Sequence, residues 1–315
     1  MVVLFSVVIP VYNRKDLLKA TLQSVFSQND RDFEVLVVDD GSTDGSIDFV
    51  ASLPEPITLL RQQNKGPGAA RNLGLSVARG DYVAFLDSDD IWFPWTLATY
   101  RAVIQRTREP ALIIAATKPF SFASDLEALR PSDVAVEKFN DFFASSRASM
   151  WHGASAIVVN ATHARAVGGF TAEWVNAEDT DFLFRLGDAP GFVRVLAPCT
   201  VGYRQHESSA VSNFSRTFAG ISRLLSNEKR GAYPGGNARI MERRRMVSRH
   251  IRPATIQCLR EGMFSEAWQL YAETFSWHVS LMRTKYLLGF PLQAVSMWSA
   301  RRLTGACLTH DEKSH

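Results

Sequence analysis

Asp87, Ser88 and Asp89 follow the apolar run Tyr82-Val83-Ala84-Phe85-Leu86. Two carboxylates flanking one residue at a strand end can reach a hard divalent cation. Mg²⁺ and Mn²⁺ take oxygen ligands and commonly pair one or two carboxylates with substrate phosphates. Asp39-Asp40 ends another apolar run, Phe33 to Val38, in the same way. Acidic turns after strands are common, so neither pair is specific by itself. The stretch from Asn64 to Asn72, with Gly66, Pro67, Gly68 and Arg71, precedes a helical pattern. It lacks the Gly-Lys-Ser/Thr of a phosphate-binding P-loop and the glycine spacing of a dinucleotide fingerprint. Its plain reading is a glycine turn that opens a helix.

The elements that must carry these residues alternate. Ser6 to Val11, Phe33 to Val38, Ile57 to Leu60 and Tyr82 to Leu86 are short apolar runs that end at turns, as buried strands do. Helical spacing separates them over 14–26, 44–52 and 67–78, with Asn13 and Asp16 set as a helix cap and a first-turn acid. This order predicts a mostly parallel sheet flanked by helices. In such sheets ligands bind outside the carboxyl ends of the strands, where Tyr12-Asn13, Asp39-Asp40 and Asp87 to Asp90 stand. Further on, a helix is expected near 137–146, strands at 111–116, 156–159, 193–196 and 200–203, and helices at 162–167 and 179–186. Beyond about Asn213 the strand signal disappears. Helices are expected over 261–282 and 292–302, divided by Gly289 and Pro291.

Taken together the pieces are far more specific than any one of them. Ser6 to Arg14 (SVVIPVYNR), Val37 to Ser46 (VVDDGSTDGS), Gly66 to Gly74 (GPGAARNLG) and Gly80 to Asp90 (GDYVAFLDSDD) occur in this order. The series continues with Val167 to Phe170, Glu178 to Arg185 and Tyr203 to His206. It resembles the family 2 glycosyltransferases, inverting enzymes of the non-processive type with the GT-A nucleotide-sugar fold, over roughly residues 1–210. The resemblance implies a role for each matched residue. Pro10, Tyr12 and Asn13 would line the nucleotide pocket, with the Tyr12 ring against the base. Asp40 would accept from the base, and Arg71 would lie near the nucleotide. Asp87 and Ser88 would face the ribose and donor sugar. Asp89 and His206 would serve a divalent cation, Mn²⁺ or Mg²⁺, on the diphosphate. Asp179 would be the general base, with Glu178 as its neighbour and fallback. Trp151, His152 and Trp174 fall where the acceptor binds. The Gln-x-x-Arg-Trp signature of processive synthases is absent, which favours transfer of one sugar, UDP-linked by family habit, to a hydroxyl-bearing glycan or lipid-linked acceptor in cell-surface glycan assembly.

The chemistry is consistent with those roles. An alcohol must lose its proton as it attacks, and a carboxylate in reach contributes about 10²–10⁴-fold. The leaving diphosphate builds charge that a cation neutralises. Direct displacement sets base and leaving group on opposite faces of the sugar, so the base should come from a different part of the chain than the cation site. Other readings remain: Asp179 and Asp181 as first-turn acids that complement a helix dipole, His206 as a solvated turn histidine, the tryptophans as packing. A non-catalytic nucleotide-sugar or glycan-binding module is the rival class, and a nucleotidyltransferase of related topology is another.

Charge divides the chain. Its net charge of +3 hides 19 Lys and Arg against 25 Asp and Glu over residues 1–215, and 15 against 5 over 216–302. We therefore expect a catalytic domain at 1–212 and a basic, mostly helical region at 213–315. The latter suits a membrane surface or another anionic partner, and equally a helical subdomain packed on the catalytic domain or on a second copy in a homo-oligomer. No nucleic-acid motif accompanies the charge. An apolar content of 46% excludes a disordered or collagen-like chain. Three scattered cysteines, Cys199, Cys258 and Cys307, suit a reducing, cytoplasmic setting. Residues 2–11, interrupted by Pro10, read as a first strand rather than a signal peptide, and no run is apolar enough to span a membrane.

Overall fold

A computed structural model describes residues 5–150, 153–173, 175–206 and 214–311, with side chains described up to residue 300. The chain folds as two compact units, Met1–Gly220 and Ile221–His315. The first opens with β1 (Phe5–Val11), α1 (Lys15–Phe26), β2 (Phe33–Asp39), α2 (Ser46–Ala51), β3 (Ile57–Arg61), α3 (Pro67–Val77) and β4 (Tyr82–Phe85). It continues with β5 (Ile91–Trp92), α4 (Thr96–Thr107), β6 (Leu112–Ile114), β7 (Thr117–Phe120), β8 (Ala135–Phe139), β9 (Ile157–Asn160) and α5 (Ala161–Ala166). Then come α6 (Glu178–Arg185), β10 (Phe192–Ala197), β11 (Val201–Arg204) and the start of α7 (Phe214–Lys229).

Eight strands form one sheet in the order β3-β2-β1-β4-β9-β6-β10-β8. β1 to β4 are mutually parallel, and β6 and β10 run the same way. β9 and β8 alone run against their neighbours. β1 sits between β2 and β4 and every one of its seven residues is buried, as expected of a strand covered on both faces. Pro10 fits there because β4 pairs with β1 only as far as Val8. Its missing N–H points to that side, beyond the last pair of the ladder. Helix α3 lies close against β1 and β2 because Gly74 has no side chain: a Cβ there would stand 2.5 Å from Val8 Cγ1 and 3.3 Å from Val38 Cγ2. β5, β11 and β7 form a second sheet in that order.

The structure departs from the sequence reading in three places. The helix expected near 137–146 is instead strand β8 followed by a 3-10 turn at Phe143–Ser145. Antiparallel pairing with β10 decides it, a long-range contact that outweighs local preference. Asn13 does not cap α1; it holds a left-handed turn (φ 50°), and the first amide of the helix donates to Asp44 at 2.9 Å.

The third departure is in the second unit, where α8 (Ile240–Glu261) precedes α9 (Phe264–Ser280), and α10 (Thr284–Asp311) runs straight through Gly289 and Pro291. The break expected at Pro291 falls at 281–283. A proline inside a helix orphans the carbonyl four residues back, here that of Leu287. The Tyr271 hydroxyl donates to that oxygen at 2.8 Å, so the helix is mended from outside. Tyr271, Tyr286, Phe290 and Trp268 stack around this point, with ring centroids 4.6 to 5.9 Å apart. Arg243 of α8 and Glu228 of α7 form an almost fully buried ion pair at 2.7 Å. Two further bonds from Arg243, to the Pro234 and Gly236 carbonyls, satisfy its fork. Among the described residues no helix is long and apolar enough to cross a membrane.

Candidate active site

The carboxyl ends of β1, β2 and β4 reach one level. Val11 pairs with Asp39, and the Asp40 amide donates to the Val11 carbonyl at 2.8 Å. The Leu86 amide donates to Val8, so Asp87 leaves β4 beside Pro10. Chain reversal from β1 to opposite neighbours, β2 on one side and β4 on the other, opens a crevice at this edge.

Arg71, in the second turn of α3, is the buried centre of the site. Its Nη2 donates to Asp87 Oδ1 at 2.6 Å and its Nη1 to Glu178 Oε1 at 2.8 Å. Its guanidinium also lies 5.3 Å from the centre of the Phe170 ring. Burial alone would loosen its proton, yet the two carboxylates outweigh that and raise its pKa. One side chain thus joins α3, the end of β4 and the start of α6, segments 16 and 107 residues apart. The sequence placed Arg71 near the nucleotide; its two bonds are to the acids.

Asp179 stands beside this bridge. Its Oδ1 accepts from the Thr180 amide at 2.6 Å. Burial raises its pKa, with the charge of Asp87 adding to the effect and the Thr180 amide and Arg71 opposing it. Glu178 is raised as well, by burial first and Asp179 second, against the pull of Arg71. Between the two acids, Glu178 is held by the arginine.

Asp89 Oδ2 lies 2.9 Å from His206 Nε2, both side chains about one-fifth exposed. Arg204 secures that strand, donating from Nε to the Asp89 carbonyl and from its amide to Asp90 Oδ1, each at 2.8 Å. Among the described residues no group of three His, Cys, Asp or Glu side chains closes on one point. A carboxylate and an imidazole in contact remain; the carboxylate suits Mn²⁺ or Mg²⁺ when phosphate oxygens complete the shell, while the imidazole nitrogen is a softer donor than Mg²⁺ favours.

On the nucleotide side, Tyr12 is 44% exposed and open to stacking, while Pro10 is buried. Asn13 ties this turn to the next, accepting from the Thr43 amide at 2.8 Å while its own amide donates to Ser42. Asp40 is buried and engaged: Gln62 Nε2 and the Lys65 and Gly66 amides donate to it at 2.7 to 2.8 Å. It therefore fixes the loop that leads into α3. Ser88 is buried. Trp151, His152 and Trp174 lie outside the described residues.

Three contributors went unnoticed in the sequence. Ser155 accepts the Asp87 amide at 2.9 Å, yet it lies among small residues with no motif around it. Gln62 holds Asp40. Asn72 clasps Phe170 twice, donating to its carbonyl at 2.8 Å and accepting from its amide at 2.7 Å. Gly68 permits that closeness, since a Cβ on it would stand 2.3 Å from the Thr171 carbonyl oxygen. Gly68→Ala should cost about 1–3 kcal/mol through forced displacement of the 170–171 segment, seen as a lower melting temperature together with weaker nucleotide binding.

Residues 6–134 match the family model described as Glycosyl transferase family 2. Over that stretch, less than half of the chain, the sequence is similar to the family 2 glycosyltransferases. A glycosyltransferase of Haemophilus influenzae, without assigned substrate, is 27% identical over 218 residues, covering 66% of this chain and 71% of the relative. The Escherichia coli protein UDP-Glc:alpha-D-GlcNAc-diphosphoundecaprenol beta-1,3-glucosyltransferase WfaP is 41% identical over 91 residues, 28% of this chain and 36% of WfaP. The chain spans between 15% and 32% of the length of three other curated relatives, from Rickettsia and Nostoc. Among solved structures, S. aureus TarS 1-349 in complex with UDP-GlcNAc superimposes with a TM-score of 0.59 at 18% identity, over 93% of this chain and 81% of TarS 1-349. The mannosyltransferase PcManGT from Pyrobaculum calidifontis, in complex with GDP-Man and Mn²⁺, gives 0.54 at 19%, over 93% of this chain and 86% of PcManGT. The fold is GT-A-like.

Proposed function

We propose that this chain is an inverting glycosyltransferase that moves one sugar from a nucleoside-diphosphate donor, UDP-linked, to a hydroxyl acceptor in cell-surface glycan assembly. The observation that carries the reading is the Arg71 bridge. It gathers the Asp87 end of β4 and the Glu178-Asp179 start of α6 at the sheet edge where Tyr12 and the Asp89–His206 pair also stand.

In this reading Tyr12 stacks on the base, and Asp40 shapes the pocket through the 62–66 loop. Asp89 and His206 hold a divalent cation with the diphosphate, which supplies charge neutralisation for the leaving group. The donor PcManGT carries with Mn²⁺ supports that assignment. Glu178 keeps Arg71 in place and Arg71 keeps Asp87 aimed at the donor. Asp179, with Oδ1 on the Thr180 amide, takes the acceptor proton at Oδ2. A carboxylate whose pKa is raised toward neutrality is a better proton acceptor at working pH than an ordinary aspartate. The acceptor is a glycan or a lipid-linked glycan, as the name of WfaP suggests. The exposed Leu288, Leu292 and Val295 of α10 together with the basic α8 suit contact with a cytoplasmic membrane face.

Turnover of UDP-sugars with Mn²⁺ or Mg²⁺ tests the reading. Release of UDP and a product of inverted anomeric configuration by NMR is expected; release of pyrophosphate from a nucleoside triphosphate, or retention, rejects it. His206→Ala should raise the Mn²⁺ concentration for half-maximal activity by about 10-fold or more, the scale seen when a metal site loses a supporting group. An unchanged metal dependence would remove His206 from the site.

A further inference from the structure

Arg204 ties together two distant segments of the first unit. It is the last residue of β11, and the turn it meets, Asp87 to Asp90, follows β4. Its amide donates to Asp90 Oδ1 and its Nε to the Asp89 carbonyl, each at 2.8 Å, across 114 and 115 residues. An arginine beside several acids ordinarily takes a carboxylate. Here the guanidinium takes the backbone oxygen of Asp89 and leaves the carboxylate to His206, whose Nε2 lies 2.9 Å from Oδ2.

Both sides of the tie are themselves held. On the β4 side Asp90 is buried. Its amide donates to the Asp87 carbonyl at 3.1 Å, and its carbonyl accepts the Thr21 hydroxyl of α1 at 2.9 Å. On the β11 side Phe120 stands opposite Arg204 in the parallel ladder with β7. The guanidinium carbon lies 4.6 Å from the centre of the buried Phe120 ring, a stacking contact that fixes the plane of the fork. The Phe120 carbonyl accepts the Gln205 amide at 2.8 Å, so the pairing continues to the residue before His206. Two residues of chain span at most about 7 Å. Once Arg204 and Gln205 are held, His206 is confined to the neighbourhood of the acidic turn.

We propose that Arg204, set in place by the Phe120 ring, is the positioning residue of the cation site: it brings the end of β11 onto the Asp87–Asp90 turn so that His206 meets Asp89. The proposal rests on the reading of Asp89 and His206 as the holders of a divalent cation. Arg204 acts through His206, and Phe120 acts through Arg204. Donors gathered in advance bind more tightly than donors that must be ordered on binding, because the conformational cost falls on folding instead.

The test reads Mn²⁺ binding without turnover. The full-length chain with UDP and no acceptor is titrated with Mn²⁺, followed by the electron paramagnetic resonance of free Mn²⁺ and corrected for Mn²⁺ held by UDP alone. Arg204→Met keeps the amide bond to Asp90 and loses the bond to the Asp89 carbonyl. It should weaken Mn²⁺ binding by about 10–100-fold, the scale for groups that orient metal ligands. Phe120→Leu keeps the carbonyl that holds Gln205 and loses only the ring. It should act in the same direction with a smaller loss, and it carries the test where Arg204→Met does not fold. Arg204→Lys should recover part of the affinity. UDP affinity without divalent cation should match wild type in all three. In a His206→Ala background Arg204→Met should weaken Mn²⁺ binding far less than it does alone, since its route is already cut. In turnover the loss should appear in the Mn²⁺ concentration for half-maximal rate and not in kcat at saturating Mn²⁺. Wild-type Mn²⁺ affinity in Arg204→Met and Phe120→Leu, with affinity lost in His206→Ala, would overturn the positioning role and leave the cation reading standing. An equal loss from Arg204→Met in the two backgrounds would do the same. Wild-type affinity in both His206→Ala and Asp89→Ala would overturn the cation reading, and the proposal with it.

Discussion

If Asp179 is the proposed base, Asp179→Asn should lower kcat by about 10²–10⁴-fold with the melting temperature and nucleotide affinity close to wild type. The selectivity follows from what asparagine keeps and loses. Its side-chain carbonyl can still accept the Thr180 amide that now bonds Asp179 Oδ1, so that contact in the first turn of α6 is kept. The oxygen that would receive the acceptor proton becomes an NH₂ group and cannot. The pH dependence supplies an independent check. In the proposed mechanism Asp179 works ionised, and burial raises its pKa above the ordinary 3.8. Activity of the wild type should therefore fall as pH drops through that raised value, and the residual activity of Asp179→Asn should lack this acid limb. Near-normal turnover in Asp179→Asn would transfer the role to another group, Glu178 first.

Arg71→Met has the second large effect, and it reaches stability as well as rate. Methionine fills much of the volume but leaves Glu178 and Asp87 facing each other's charge without a cation between them. Removing one partner from a buried ion pair costs about 3–5 kcal/mol, and here two pairs share the same cation. Thermal unfolding should shift down by many degrees and transfer should fall below detection. Arg71→Lys tests the geometry, since an ammonium keeps the charge but has no fork to hold two carboxylates at once. It should recover part of the stability and little of the activity. Equal melting temperatures for Arg71→Met and wild type would show that the bridge does not hold the site together.

Three acids of the site were legible because each stands at the end of an apolar run, while Glu178 and Asp179, at the start of α6, were placed only by the family resemblance. Asp87, Asp89 and Asp40 needed only the strand pattern to be placed at one edge, and β1 to β4 follow that pattern closely. Arg71 was visible but its work was not: it sits mid-helix, and its partners are fixed by tertiary closure across 107 residues. Ser155 is harder still. It reaches Asp87 because β9 enters the sheet antiparallel between β4 and β6, an insertion that leaves no local mark on the sequence. Strand β8 was misread for a related reason, since the residues Ala135 to Phe139 acquire their conformation from β10 and not from themselves.

The bond from the Tyr271 hydroxyl to the Leu287 oxygen makes the continuity of α10 a property of its neighbour. One phenolic oxygen on α9 stands in for the amide that Pro291 lacks, so the length of one rod is written in the side chain of another. In this hairpin a change at Tyr271 that removes the hydroxyl would leave the Leu287 oxygen without that donor, and the effect would be felt on the other arm.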